Sequence, residues 1–116
     1  MLITINGFKF FYNWWYHGVR LGEAAECIFS TRAIALNDAA HSTGSEQRFN
    51  LVTSSPSGRI LTIGFCKRQD GQETRIISAR PASTRERRAY RERYGDDNTF
   101  ATIPHSKPRQ RISWRW

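Results

Sequence analysis

The spacing of hydrophobic and polar positions divides the first part of the chain into one strand and two helices. Residues 2–5 alternate weakly, which predicts a short strand. Residues 8–16 hold seven aromatic side chains between Asn6, a suitable helix cap, and Gly18, a usual helix end. They predict a first helix that buries more than half of its ring area. Apolar positions at helical spacing in residues 22–29 predict a second, shorter helix.

Four later segments have the spacing of strands and are separated by polar loops or turns. They are residues 31–37, 48–53, 60–67 and 75–79. Gly71, after an aspartate, is a hairpin signal between the last two segments. An even number of loop residues pairs Phe65 with Ile76, Ile63 with Ser78, and Leu61 with Arg80. In this register Arg75 projects from the less apolar face, whereas Arg80 lies at the strand end and reaches round the sheet edge.

A last helix is predicted directly after these strands. Pro81 lacks a backbone N–H and disfavours helix at Arg80, so the strand ends there. Ser83 followed by Glu86 is a capping-box pattern and predicts a helix over residues 84–94. The fold class is therefore α+β, with two N-terminal helices, an antiparallel sheet of about four strands and a C-terminal helix.

Positive charge is concentrated in the second half of the chain. The 116 residues carry a formal net charge of +8, yet residues 1–58 hold as many bases as acids. Residues 75–93 alone contain seven arginines and two glutamates. This asymmetry favours a nucleic-acid surface, although an acidic protein partner suits the same patch. We expect a single domain over residues 1–95 and a basic, aromatic extension over residues 96–116.

The remaining composition argues for a cytoplasmic protein without metal or cofactor. Cys27 and Cys66 are too few for a disulfide scaffold and lack the spacing of metal ligands, so we expect reduced thiols. The apolar N-terminus, residues 1–5, has no charged leader. No apolar run approaches the roughly 20 residues that span a bilayer, so we expect no membrane partner.

The available polar groups suit one reaction that needs no metal. RNA carries a 2′-hydroxyl that can attack the adjacent phosphate. The protein then has only to position the strand, move a proton and stabilise the charge that develops on the phosphate. Histidine, glutamate and arginine side chains are available for these tasks. DNA lacks the hydroxyl, so this chemistry selects RNA.

Residues 75–90 resemble a known family signature. Their pattern, Arg-Ile-Ile-Ser-Ala-Arg-x-Ala-Ser/Thr-x-x-Glu-Arg-x-x-Tyr, is similar to that of BrnT-type ribonuclease toxins. Weaker matches follow the family's order upstream: Lys9, Asn13, His17-Gly18-Val19, Glu23-Ala24-Ala25, Phe29, Asp38, His41-Ser42 and Glu46-Gln47-Arg48-Phe49. The resemblance covers about residues 3–93. It implies a RelE-like fold and a type II toxin–antitoxin role, with an RNA substrate. It also implies that a ribbon-helix-helix antitoxin neutralises the toxin, with a heterotetramer as one arrangement of the complex.

Three residues are the candidates for catalysis. Arg75 and Arg80 are expected to hold the phosphate, and His17 to act as acid or base. The alternatives are structural. Arg75 and Arg80 are also within sequence reach of ion pairs with Glu73 and Glu86, and His17 suits a helix C-terminus.

Other residues are expected to support binding. The candidates for RNA contacts are Arg48, Lys67, Arg68, Arg85 and Arg88. Arg48 is equally suited to an ion pair with Glu46. Arg85 and Arg88, on the last helix, are equally suited to a solvent-exposed face. Glu86 and Tyr90 are supporting residues, the first expected to cap the last helix and the second to pack in the core.

Three functions fit these observations. The first is a metal-independent endoribonuclease toxin of a type II toxin–antitoxin pair. The second is a weak or inactive relative that binds RNA or an antitoxin, because Tyr16 and Pro81 stand where the family usually has basic residues. The third is an interaction protein whose aromatic and basic helices hold an acidic peptide.

Overall fold

The computed structural model describes residues 2–28, 30–37, 42–43, 46–68, 71–95 and 111–115. These residues form three helices and six strands. In chain order they are β1 Leu2–Asn6, α1 Gly7–His17, α2 Leu21–Cys27, β2 Ala33–Asn37, β3 Gln47–Ser54, β4 Ile60–Arg68, β5 Glu73–Pro81, α3 Thr84–Tyr94 and β6 Arg111–Arg115. The α+β class is confirmed.

The described strands form one mixed sheet in the order β2-β3-β4-β5-β1-β6. Strands β2 to β5 are antiparallel neighbours, but β1 runs parallel to both β5 and β6. The prediction of an antiparallel sheet of about four strands is therefore wrong. Ile3 and Ile5 are buried, because β1 lies inside the sheet rather than at its edge. Strand β6 falls in the predicted extension, of which residues 96–110 and 116 lie outside the described residues.

Helix ends follow the local sequence signals. The Asn6 side chain accepts a hydrogen bond from the Lys9 backbone N–H at 3.1 Å, and Gly18 closes α1 with a φ of 66°. Ser83 and Glu86 form the predicted capping box at the start of α3, so that prediction is confirmed.

Two hydrophobic clusters cover different parts of the sheet. Helices α1 and α2 pack on one face, in a cluster of Ile3, Ile5, Phe10, Val19, Ala24, Cys27, Leu61, Ile63, Ile76 and Ala79. Helix α3 packs on the other face through Tyr90, which joins Val52, Ile60 and Ala82. The side chain of Phe8 is outside the described residues, so the expected burial of the α1 ring area stays a prediction. Since one helix buries only one stripe, Phe10 is buried, but five other rings belong to residues that are about half exposed or more. These residues are Phe11, Tyr12, Trp14, Trp15 and Tyr16.

A bulge interrupts the pairing of β4 with β5. Phe65 lies opposite Ile76, as predicted, but Gly64 lies opposite Ser78, which leaves Ile77 as the extra residue of β5. The predicted pairs beyond this point are wrong by one residue. Glycine permits this packing, because a Cβ at Gly64 would lie 2.6 Å from Ser78 Oγ.

Asn13 anchors α1 along the edge of β5. Strand β1 pairs with β5 only as far as Ile76. Beyond it, the Asn13 amide donates to the Ala79 carbonyl at 2.6 Å and accepts from the Ala79 N–H at 3.0 Å. Asn13 thus takes the place of a neighbouring strand and satisfies backbone groups that burial would otherwise leave unpaired.

Candidate functional site

The bulge brings two arginines of β5 to the same face of the sheet. Arg75 lies opposite Cys66, and Arg80 lies opposite Thr62. Since these partners are four residues apart on β4, all four side chains point to one side. Arg48, opposite Cys66 on β3, points there too. We call this side, which carries Arg48, Arg75 and Arg80, the arginine face.

Arg80 lies at the end of the arginine face that α3 covers. Its two Nη atoms bind the two carboxylate oxygens of Glu86, at 2.6 Å and 3.1 Å. The same carboxylate accepts from the Ser83 N–H at 2.9 Å. Burial raises the pKa of Glu86, but the hydrogen bonds from Arg80 and Ser83 outweigh it and lower the pKa to about 2. The structure therefore contains the ion pair that was the structural alternative for Arg80, and Glu86 caps the last helix as predicted.

Arg75 lies at the open end, about 13 Å from Arg80 along β4. Its nearest carboxylate is Glu73, with Nη2 and Oε1 separated by 3.9 Å. Glu73 is buried and accepts from the Thr4 hydroxyl at 2.7 Å, so its charge has a second partner. The side chain of Arg75 is about one third exposed, at 33%. Arg75 therefore has an ion pair, but a long one that leaves most of its donors available.

Two further arginines surround Glu46 beside Arg75. Arg48 and Arg68 lie 3.3 Å and 3.8 Å from its two carboxylate oxygens, so the predicted ion pair of Arg48 is present. Beneath them is the buried thiol of Cys66, whose pKa is raised by burial and by the Glu46 carboxylate. The open end thus holds three guanidinium groups and two carboxylates.

Between the two ends lies a hollow of about 190 Å³. It is lined by Arg48, Asn50, Gly64, Ile77 and Ser78, together with Phe49 and Phe65, whose side chains point to the other face. The sequence prediction missed Asn50 and Ser78, because neither residue type is distinctive by itself. The one available signal was a glycine inside a strand, which often marks a bulge or a close approach.

His17 lies on a different element from the arginines. It ends α1, which packs on the opposite face of the sheet, and its exposed ring lies 6.5 Å from that of Tyr16. Asn13, one helical turn earlier, holds α1 to Ala79, the neighbour of Arg80. His17 is thus on a helix anchored beside β5, but among the described residues no contact joins it to either candidate arginine.

The other candidate residues lie away from the arginine face or in the core. Lys67 is exposed and, next to Cys66 on β4, points to the other side. Arg85 and Arg88 are exposed on α3, consistent with a solvated helix face. Tyr90 is 0% exposed and packs in the core. His41 and His105 are outside the described residues.

Two further properties concern the described segments as a whole. No cluster of three or more histidine, cysteine, aspartate or glutamate side chains suited to a metal ion occurs within them. None of their helices has the length and apolar character that crossing a membrane requires. Both cysteines, Cys27 and Cys66, are buried and free, and burial raises the pKa of Cys27 to about 12.

The fold and its arginine face define a small basic α+β protein with a surface suited to a polyanion. The family model for BrnT, the ribonuclease toxin of type II toxin–antitoxin systems, matches residues 9–86, from α1 to the first turn of α3. The chain therefore belongs to the BrnT family, as its sequence signature predicts. Membership implies a ribonuclease toxin with an antitoxin partner. A comparison with curated proteins finds no match.

Proposed function

We propose that this chain is a metal-independent endoribonuclease toxin that cleaves RNA on the arginine face. The observation that carries the proposal is the bulge at Ile77, because it aligns Arg75 and Arg80 on one side of the sheet. Both arginines lie within the segment that matches the family. Their backbone positions are about 13 Å apart along the sheet, so one RNA strand that crosses this face passes both residues.

The open end of the arginine face supplies the binding site. Its three guanidinium groups exceed its carboxylates by one, and the closest ion-pair distances are 3.3 Å to 3.9 Å. Partly exposed pairs of this kind contribute at most about 1 kcal/mol, so a phosphate competes with them effectively. Arg75, with the longest of these distances, is the residue that we assign to the scissile phosphate.

The reaction requires no group beyond the RNA and the protein. The ribose 2′-oxygen bonds to the neighbouring phosphorus, and the bond from that phosphorus to the 5′-oxygen breaks. A base accepts the 2′-hydroxyl proton, and an acid donates a proton to the departing 5′-oxygen. Arg75 stabilises the negative charge that accumulates on the phosphoryl oxygens. We assign proton transfer to His17, since imidazole is the commonest group for this task. His17 ends a helix on the opposite face of the sheet, so the proposal requires the RNA to pass the edge of β5 at Ala79, where Asn13 anchors that helix.

Arg80 has a different part in this proposal. Its guanidinium is held at two points by Glu86, which is ionised because its pKa is about 2. The pair fixes α3 against β5 and shapes the covered end of the arginine face. Arg80 is therefore proposed as a positioning residue that acts through Glu86 and α3.

The proposal is tested with a labelled single-stranded RNA in the presence of EDTA. We expect cleavage that leaves a 2′,3′-cyclic phosphate, since the 2′-oxygen becomes bonded to phosphorus. The matched control is the same sequence with 2′-O-methyl riboses, which lack the nucleophile and should remain intact. His17→Ala should retain RNA binding but lose most of the cleavage. Cleavage of the methylated RNA, or loss of cleavage upon chelation, would contradict the mechanism.

We further propose that the partner is a DNA-binding antitoxin encoded beside this chain. Family membership supports a partner, and the ribbon-helix-helix type and a heterotetramer follow from the resemblance. Expression of the chain alone should arrest bacterial growth and degrade RNA, and coexpression of the adjacent reading frame should restore growth. The mass of the purified complex then gives its stoichiometry. Arrest that persists with intact RNA argues against ribonuclease action.

A catalytically inactive binding module is the second candidate. The observation that favours it is the separation of His17 from Arg75 and Arg80 among the described contacts. This alternative predicts RNA association that weakens with salt and yields no product. The EDTA assay above distinguishes the two candidates, because only the toxin releases a cyclic phosphate.

A further inference from the structure

The hollow between the two ends of the arginine face differs chemically from the ends themselves. Gly64 and Ser78, which are paired across β4 and β5, both line it, and its volume is about 190 Å³. Asn50 lies opposite Gly64 on β3, with its Oδ1 atom 3.6 Å from the position of a Cβ on that glycine. A neutral amide and a hydroxyl thus converge where the neighbouring positions of the sheet carry arginines.

These two polar groups are available to a ligand. Among the described contacts, neither the Asn50 amide nor the Ser78 hydroxyl has a hydrogen-bond partner. Ile77, the bulged residue, adds an apolar wall. Arg48, at the rim, is engaged by Glu46 at 3.3 Å. The hollow therefore combines an apolar side with a neutral donor and acceptor, a composition that suits a planar base better than a phosphate.

We infer that this hollow is a specificity subsite that binds one nucleobase of the RNA, with Asn50 and Ser78 contacting its edge. The inference rests on the proposed function, because the arginine face must first bind the RNA backbone. An asparagine amide offers an adjacent donor and acceptor, which complement the N7 and N6 atoms of adenine. In single-stranded RNA such base edges are free to be recognised. Adenine is therefore the base that we expect.

The test compares binding of four uncleavable RNA decamers by fluorescence anisotropy. The probes carry 2′-O-methyl riboses and consist of oligo-A, oligo-C, oligo-U and alternating guanine and uracil. The wild-type chain should bind oligo-A about tenfold more tightly than the others, a typical factor for one amide–base pair. Asn50→Ala should reduce this preference to less than twofold and leave the affinity for the other decamers unchanged. Ser78→Ala should reduce it by a smaller factor.

Two further variants separate the subsite from general effects. Gly64→Ala places a methyl group 2.6 Å from Ser78 Oγ, so the hydroxyl must move and the preference should fall. Ser57→Ala removes a hydroxyl in the turn before β4 that donates to Glu23 outside the hollow, and it should leave the base preference unchanged. Circular dichroism melting of each variant establishes that it is folded.

The outcomes distinguish this inference from the proposal on which it rests. If no decamer binds even at low salt, RNA binding by the arginine face fails and the subsite fails with it. If all four bind equally, or if a preference survives Asn50→Ala, only the subsite is overturned. A preference for another base that disappears in Asn50→Ala supports the subsite and changes the base assignment.

Discussion

The two ends of the arginine face contain the same residue types and differ in how they pair. At the covered end, Arg80 makes two short hydrogen bonds to Glu86, and the carboxylate also caps α3. At the open end, Arg75 lies 3.9 Å from Glu73, whose oxygen is already bonded to Thr4. One arginine is part of a helix cap, whereas the other has a weak partner and solvent access.

This difference separates a stabilising role from a binding role. Charge-assisted pairs with two hydrogen bonds fix both side chains and resist competition by a ligand. Long, partly exposed pairs contribute little to stability and leave donors for a phosphate. Arg75 and Arg80 occur in one sequence signature, yet we expect their substitution to affect different measurements. The predictions below test that separation.

The largest expected effect is the loss of cleavage in Arg75→Ala. Removal of one donor to the charged transition state typically costs about a hundredfold in rate, or about 2.7 kcal/mol. The free energy of unfolding should fall by no more than about 1 kcal/mol, since the side chain is partly exposed and its pair with the buried Glu73 is long. Arg20→Ala, an exposed arginine before α2, is the matched control and should cleave normally. If Arg75→Ala lost stability but kept its cleavage rate, Arg75 would have the stabilising role that we assign to Arg80.

The second effect is a loss of stability in Glu86→Gln. The glutamine cannot form the ionic pair with Arg80, and it weakens the bond to the Ser83 N–H. We expect the free energy of unfolding, measured in urea, to be about 2 kcal/mol lower than that of the wild type. Glu92→Gln, on the exposed surface of α3, is the control for a lost negative charge. Cleavage per folded molecule should fall much less than in Arg75→Ala; an equal fall would join the two ends in one function.

The parts of this comparison that were predictable from sequence are those that depend on neighbouring residues. Ser83 and Glu86 form their capping box because both partners lie within one helical turn. Asn6 caps α1 for the same reason. The family signature also lies in one continuous segment, so residues 75–90 were sufficient to indicate it.

The parts that were not predictable depend on contacts across strands. A bulge shifts every later side chain of β5 to the other face, and it depends on Gly64 accommodating Ser78 from the next strand. Arg80 was therefore expected at the sheet edge rather than on the same face as Arg75. The parallel placement of β1 beside β5 is likewise a long-range contact, between Leu2 and Glu73 at its first pair.

The third prediction uses pH to isolate the covered end. The pKa of Glu86 is about 2 in the folded chain, below its value of about 4.3 in an unfolded one. A depressed pKa means that ionised Glu86 stabilises the fold fully above about pH 4.3, and that this stabilisation disappears as the pH falls towards 2. Urea unfolding at stepped pH should show the wild type losing its advantage over Glu86→Gln within this window. If the difference in free energy of unfolding between the two chains stayed constant with pH, the ionised Arg80–Glu86 pair would not be its cause.

The smallest expected effect is on the salt dependence of RNA binding. It tests the open end by comparing two basic residues whose side chains lie on opposite faces of the sheet. Arg48 and Lys67 are both basic and lie on neighbouring strands, but Arg48 is on the arginine face and Lys67 points to the opposite side. Each phosphate contact on a single strand contributes about 0.7 to the slope of log affinity against log salt. Arg48→Ala should therefore lower the slope by about 0.7, whereas Lys67→Ala should leave it unchanged. Because the two substitutions remove the same charge, a general electrostatic attraction would lower both slopes equally. That result would mean that RNA is bound by the net charge of the chain and not by one face of its sheet.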